Sequence, residues 1–296
     1  MDKKAVWQSA LLVRRAIMHR YGNGMQARAT SLGIDLPGLV ALSAAYTFEP
    51  DPISVERLRV RVPYFAPAYY KAPLLGLKDA GYLDDAPEGG FYLNDRGHDA
   101  FRQIISVAYE QMNQLTLMPQ EEVKELSLIL ARLVQAALQS PSPPCKWSII
   151  YSRRLDPGRS ASAMVKVDQY LSDLAAYRDD AHLASWKPYS VSPHAWEILG
   201  HVWRRQASSV EEVLDKVRFR QWRQEQTRTA IDDLAALGWL EGPPEIKLTE
   251  DGKQVREQAE QLTDEYFFAP WDVVSGQELD RMEELFTKII NALSHL

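Results

Sequence analysis

The sequence predicts a mainly α-helical fold carrying two small β-hairpins, arranged as two similar halves. Three observations lead there. Apolar residues recur at helical spacing through most of the 296 residues. The same order of landmarks runs twice along the chain. Between the two runs, "QSPSPPCKW" at 139–147 sets prolines that suit neither a helix interior nor a central strand. The expected organisation is one domain over residues 1–140, a Pro-rich linker over 141–160 and a second domain over 161–296.

The repeat is visible segment by segment. "DPISVERLRVRV" (51–62) faces "QASSVEEVLDKV" (206–217), and "LLGLKDAGYLDD" (74–85) faces "AIDDLAALGWLEG" (230–242). "YLNDRGHDAFRQIISV" (92–107) faces "KLTEDGKQVREQAEQL" (247–262), and "EEVKELSLILARLVQAAL" (121–138) faces "QELDRMEELFTKIINAL" (277–293).

Each half opens with a long amphipathic helix. Val6, Ala10, Val13, Ile17 and Tyr21 form its stripe in the first half, and Met164, Val167, Leu171 and Leu174 in the second. "GNG" at 22–24 reads as a turn. A second helix starts where Ser192 can cap and Pro193 can occupy the first position without losing a needed amide. Ser208 and Glu211 have capping-box spacing and open a third helix, for which Asp51 and Pro52 serve in the first half. The fourth runs from about Arg223 to Leu237 and ends on Gly238, with Gly81 in the same part earlier. In the first half this fourth segment contains Pro63, Pro67 and Pro73, which are expected to shorten or kink it. "GYLDDAPEGGFYLNDRG" and "GWLEGPPEIKLTEDG" then read as hairpins around Pro/Gly turns. Last come helices striped by Val123, Leu126, Ile129, Leu130 and Leu133, and by Leu279, Met282, Leu285, Phe286 and Ile289. Helices three and four with the hairpin make a winged helix-turn-helix. The fold class is therefore mainly α, with two tandem α+β winged helix-turn-helix domains whose outer helices need apolar partners.

Composition narrows the function. An apolar fraction of 46% with 25% charged residues suits a folded globular chain rather than a disordered one. A net charge of −6 excludes a protein coated in basic surface but leaves room for a local basic patch. No run of 18 apolar residues occurs, and Arg14 and Arg15 interrupt the N-terminal apolar stretch, so no membrane association and a cytoplasmic location are expected. The single cysteine, Cys145, cannot form an internal disulfide and reads as a bystander. His194 and His201 can share a helix face but have no third ligand nearby. Neither H-E-x-x-H, G-x-S-x-G nor a Gly-rich phosphate loop is present, so no metal, cofactor or enzymatic activity is expected.

The element order, "ALGWLE" closing the fourth helix, "LTEDGKQV" after the hairpin and the paired C-terminal helices resemble the MarR family of winged-helix regulators. The resemblance covers almost all of residues 160–296 and, more weakly, 1–140. In that family two identical chains pack through their first and last helices and present two recognition helices to one duplex. This chain looks like both subunits fused, a pseudo-twofold dimer expected to be monomeric in chain count. The hairpins "EGPPEIK" and "DDAPEGGFY" lack the acidic-x-basic pattern common in the family's wings.

Double-stranded DNA is the expected partner. Lys216, Arg218, Arg220, Arg223 and Arg228 crowd residues 216–228 with one acid, Glu225, and Arg57, Arg59, Arg61 and Lys71 crowd residues 57–71 with none. Both clusters fall where a third helix passes to a recognition helix, the place where phosphates and base edges are met. Arg223, Gln224, Thr227 and Arg228 are expected to point outward and read bases. Tyr64, Phe65, Tyr69 and Tyr70 are expected mainly to pack. The resemblance further implies a small aromatic effector between the helical layer and the lobes, for which Trp186, Tyr189, Trp196, Trp203, Tyr266, Phe268 and Trp271 are the candidate lining. Effector binding would alter the spacing of the two recognition helices on half-sites one helical turn apart. The rival expectation is a ligand- or protein-interaction module that keeps the fold without binding DNA.

Overall fold

Residues 2–242 and 245–294 are described by the computed structural model. The first half opens with α1 (Lys3–Ser31), capped by Asp2, whose carboxylate accepts from the Lys4 amide. The turn expected at "GNG" is not there. Residues 22–24 continue the helix, and Gly24 permits a close approach of Gln111, whose side chain a Cβ at that position would overlap. Next come α2 (Leu36–Phe48), α3 (Val55–Arg61) and α4 (Pro67–Asp79), then an antiparallel hairpin of β1 (Leu83–Asp85) and β2 (Phe91–Leu93), and finally α5 (Asp95–Asn113) and α6 (Gln120–Gln139).

The second half repeats that order as α8 (Ala163–Trp186), α9 (Pro193–Trp203), α10 (Val210–Val217), α11 (Gln224–Ala236), β3 (Leu240–Glu241), β4 (Lys247–Leu248), α12 (Glu250–Phe268) and α13 (Gly276–Ser294). Pro243 and Pro244, expected at the tip of this hairpin, lie outside the described residues.

The expected linker contains a helix, α7 (Trp147–Arg153), between the halves. Asp180 of α8 explains why a helix starts there. Its carboxylate accepts from the amides of Ser148 and Ile149 at 2.7 and 2.9 Å, filling positions that no intrahelical carbonyl can reach. Two caps also differ from expectation. Ser209, not Ser208, caps α10 by accepting from the Glu212 amide, while Glu212 reaches back to the Ser208 amide. Ser54, not Asp51, caps α3 by accepting from the Arg57 amide. The prolines of the first half do not shorten its fourth helix, since α4 and α11 are both 13 residues long. Pro67 sits in the first turn of α4, where its missing amide is not needed, and Pro73 is accommodated inside.

Three cores follow from these elements. The helical layer buries Val13 and Ile17 of α1, Leu130 and Leu133 of α6, Leu171 and Leu174 of α8, and Phe286 and Ile289 of α13. Its packing is reciprocal: α1 lies on α13 and α8 lies on α6, so the first helix of each half meets the last helix of the other. One lobe closes around Leu42, Phe48, Leu74 and Phe101, and the other around Trp196, Leu199, Val213 and Leu234. Each hairpin is held to the helix after it by a glycine. A Cβ on Gly97 would overlap the carbonyl of Tyr82, and one on Gly252 the carbonyl of Trp239. Among the described residues no single helix is long and apolar enough to cross a membrane.

Candidate nucleic-acid interface

The second lobe displays most of its basic cluster. After α10, a 3-10 turn over Arg218–Arg220 ends on Gln221 in the left-handed region at φ 60°, and Arg223 caps α11, its amide donating to the Gln226 side chain at 3.1 Å. Lys216, Arg218, Arg223, Gln224 and Arg228 are exposed around this turn and along the first turns of α11. Arg218 pairs with Asp215 at 2.7 Å, but both side chains are open to solvent, where such a pair holds little energy and yields readily to a phosphate. The helix N-terminus adds its partial positive charge to this surface.

Two expected DNA contacts are not on that surface. Thr227 is 1% exposed, and its hydroxyl meets Nε2 of His194 at 2.9 Å in the lobe interior. It faces inward because it shares one helix face with the buried Ala230, Ile231 and Leu234, at spacings of three, four and seven residues. Burial, followed by the nearby Arg220 charge, lowers the His194 pKa to about 4, so its ring is neutral under ordinary conditions.

Arg220 is the second. Its Nε and Nη2 donate to the Glu197 carboxylate at 2.6–3.0 Å, and its guanidinium lies 4.2 Å from the Phe65 ring centroid and 4.4 Å from that of Phe219. These contacts bring in the first lobe. Tyr64 packs against the core of the second lobe, where its hydroxyl accepts from Trp186 Nε1 at 3.0 Å and its carbonyl from Trp222 Nε1 at 2.8 Å. The Ala66 amide donates to the Arg220 carbonyl at 2.9 Å. The segments leading into α4 and α11 are thus clamped to each other.

The first basic cluster is dispersed by the fold. Arg57 donates to the Pro52 carbonyl at 2.9 Å. Arg59 is half-buried. Arg61 also turns inward, 3.4 Å from the Thr47 hydroxyl, and burial lowers its pKa against the opposing pull of Asp179 and Asp180. It is therefore placed to face α8 rather than a duplex. Lys71 stays exposed on α4. The aromatic residues beside it pack as expected: Phe65 stacks on Tyr69 at 3.9 Å, and the buried Tyr70 bonds the Val62 carbonyl.

The seven aromatic residues expected to line one effector site fall into two groups. Trp186, Tyr189 and Trp196 stack in the second lobe, with Trp203 nearby across the Arg256 guanidinium. Tyr266, Phe268 and Trp271 belong to the helical layer, where Phe267 and Trp7 join them. Trp186, Trp196 and Trp271 are buried among neighbouring rings, while Tyr189, Trp203, Tyr266 and Phe268 are half-buried at the edges of their groups. Of the seven, Trp196 edges a cleft of about 230 Å³ together with Tyr64, Arg204 and Arg256, and further clefts lie elsewhere. One of about 550 Å³ runs between α1, α8 and the first lobe and is edged by Trp7, Leu11, Arg14, Arg61, Asp179 and His182. The clamp itself, and the interior roles of Arg220 and Thr227, had no signature in composition or spacing.

His201 is engaged with Gln206 at 2.9 Å, and Cys145 is exposed. Among the described residues no three His, Cys, Asp or Glu side chains are grouped to hold a metal.

Residues 162–295 match the model of a helix-turn-helix family. The match spans the second half of the chain and supports a helix-turn-helix DNA-binding domain there, with a DNA-binding regulatory role in general terms. No curated protein and no solved structure matches the chain.

Proposed function

We propose that the chain is a DNA-binding transcriptional regulator, the single-chain equivalent of a MarR-type dimer. The observation that carries this reading is the exposed set Arg223, Gln224 and Arg228 on the first turns of α11, flanked by Lys216 and Arg218, in a chain of net charge −6. Arginine and glutamine side chains suit guanine and adenine edges, and the flanking cations suit phosphates. The pseudo-dimer is supported by the reciprocal contacts of α1 with α13 and α6 with α8, the pattern in which one surface serves both partners. A covalent link holds such a pair together at any dilution.

Relief by a small aromatic effector belongs to the same reading. The 550 Å³ cleft between α1, α8 and the first lobe has the size for such a molecule, and its arginines favour one bearing an acid group.

Fluorescence anisotropy on a mixed-sequence duplex at two salt concentrations tests the DNA-binding reading. Binding should weaken steeply with salt, and the double variant Arg223→Ala, Arg228→Ala should lose at least about tenfold in affinity and reduce the salt slope by about two. Absent or salt-independent binding would sink it.

A further inference from the structure

We propose that the chain addresses DNA through a single major groove, read by α11 alone, with the first lobe held off the bases as a rigid support. The proposal rests on the DNA-binding reading above and changes what the target must look like.

Distance comes first. Ala66 caps α4 and Arg223 caps α11, and the Ala66 amide is 2.9 Å from the Arg220 carbonyl, three residues before Arg223. Backbone dimensions then limit the separation of the two caps to about 18 Å. A two-site reader inserts the N-terminal residues of its recognition helices into grooves about 34 Å apart. The clamped N-termini fall short by roughly half. Nor can both enter one groove, because a major groove about 12 Å wide admits one helix of about 10 Å diameter.

The side chains then decide which helix enters. The exposed face of α4 is made of Pro67, Ala68, Ala72, Leu75 and Gly76, with Lys71 as its cation and Asp79 near its end. That face offers bases almost no hydrogen bonds. The exposed start of α11 offers two arginines and a glutamine.

The clamp is part of the folded interior. Opening it would uncover Tyr64, strip the indole nitrogens of Trp186 and Trp222 of their acceptors and lift Phe65 off the Arg220 guanidinium. Leaving donors in a packed interior without acceptors, and uncovering an aromatic ring, are both unfavourable. The closed arrangement is therefore the one presented to DNA, and the target is one short asymmetric block rather than an inverted repeat.

Selection of the full chain against randomised 40-base-pair duplexes, followed by sequencing, tests this. The expected result is a single uninterrupted motif of about four to six base pairs without internal symmetry. Against a duplex carrying that motif, Lys71→Ala should change affinity by less than about twofold, while Arg223→Ala with Arg228→Ala should cost at least about tenfold. An enriched inverted repeat with centres about ten base pairs apart would overturn the single-groove proposal and leave the DNA-binding reading standing, as would a Lys71→Ala loss as large as that of the arginines. No enrichment together with no salt-dependent binding would remove both.

Discussion

Arg220 of the second lobe lies 4.2 Å over the ring of Phe65 from the first, while its guanidinium closes on Glu197 at 2.6 Å. One side chain thus ties together two lobes and two kinds of attraction, an ion pair shielded from solvent and a cation over an aromatic face.

Replacing Arg220 by Ala should destabilise the chain by about 2–4 kcal/mol, because it leaves Glu197 uncompensated and uncovers Phe65. Arg220→Lys should recover only part of this, since an ammonium cannot reproduce the two-nitrogen grip. Urea denaturation of both variants checks the order. Equal stability of wild type and Arg220→Ala would mean that the clamp is incidental.

The glycine under each hairpin gives a second expectation. Gly252→Ala would push a methyl group into the Trp239 carbonyl, and the backbone on both sides must move to make room. A loss of about 1–3 kcal/mol is expected. Gly76→Ala, where a Cβ meets nothing within 4 Å, should be neutral or slightly stabilising and serves as the control.

Asp168 predicts a pH effect. Burial raises its pKa from 3.8 to about 6, against the opposing hydrogen bond from Tyr21. A carboxyl whose folded pKa is raised takes up protons more readily in the folded state, so its cost is absent below about pH 4 and complete above about pH 6. Asp168→Asn should therefore stabilise the protein at pH 7 by about 1–3 kcal/mol and leave it unchanged at pH 3.5. Thermal melts across that range provide the measurement.

His194 acts in the other direction. Its folded pKa of about 4 lies below the ordinary 6.5, so the unfolded chain binds the extra proton between those values. Stability from this group is present above about pH 6.5 and drains away as pH falls towards 4, at no more than about 1.4 kcal/mol per pH unit. His194→Gln should flatten that acid limb. An unchanged limb would place the proton uptake on another group.

Much of the fold was legible because it rests on periodicity. The stripe of Val123, Leu126, Ile129, Leu130 and Leu133 and its counterpart from Leu279 to Ile289 are buried as read, and Gly81 and Gly238 take the positive φ that ends their helices. Misreadings arose where neighbouring residues offer equivalent chemistry. Two adjacent serines precede α10, and either hydroxyl could cap it until the backbone selects one. "GNG" satisfies turn preferences locally, but packing against α5 keeps it helical. At the candidate interface, exposed Arg223 and buried Thr227 differ by one helical turn, a distinction that needs the apolar face of α11 to be placed first. Arg220 was legible as basic but not as a clamp, because Glu197 and Phe65 come from distant parts of the chain and meet only through tertiary packing.

Tyr64 fills a place in the second lobe that the second half of the chain cannot fill by itself. A shortened gene encoding residues 161–296 alone would leave the indole nitrogens of Trp186 and Trp222 without the acceptors Tyr64 supplies. Two such fragments meeting as equals would each need the tyrosine that neither carries. The second lobe is completed by a residue from the first half, so the two halves stand or fall together as one folding unit.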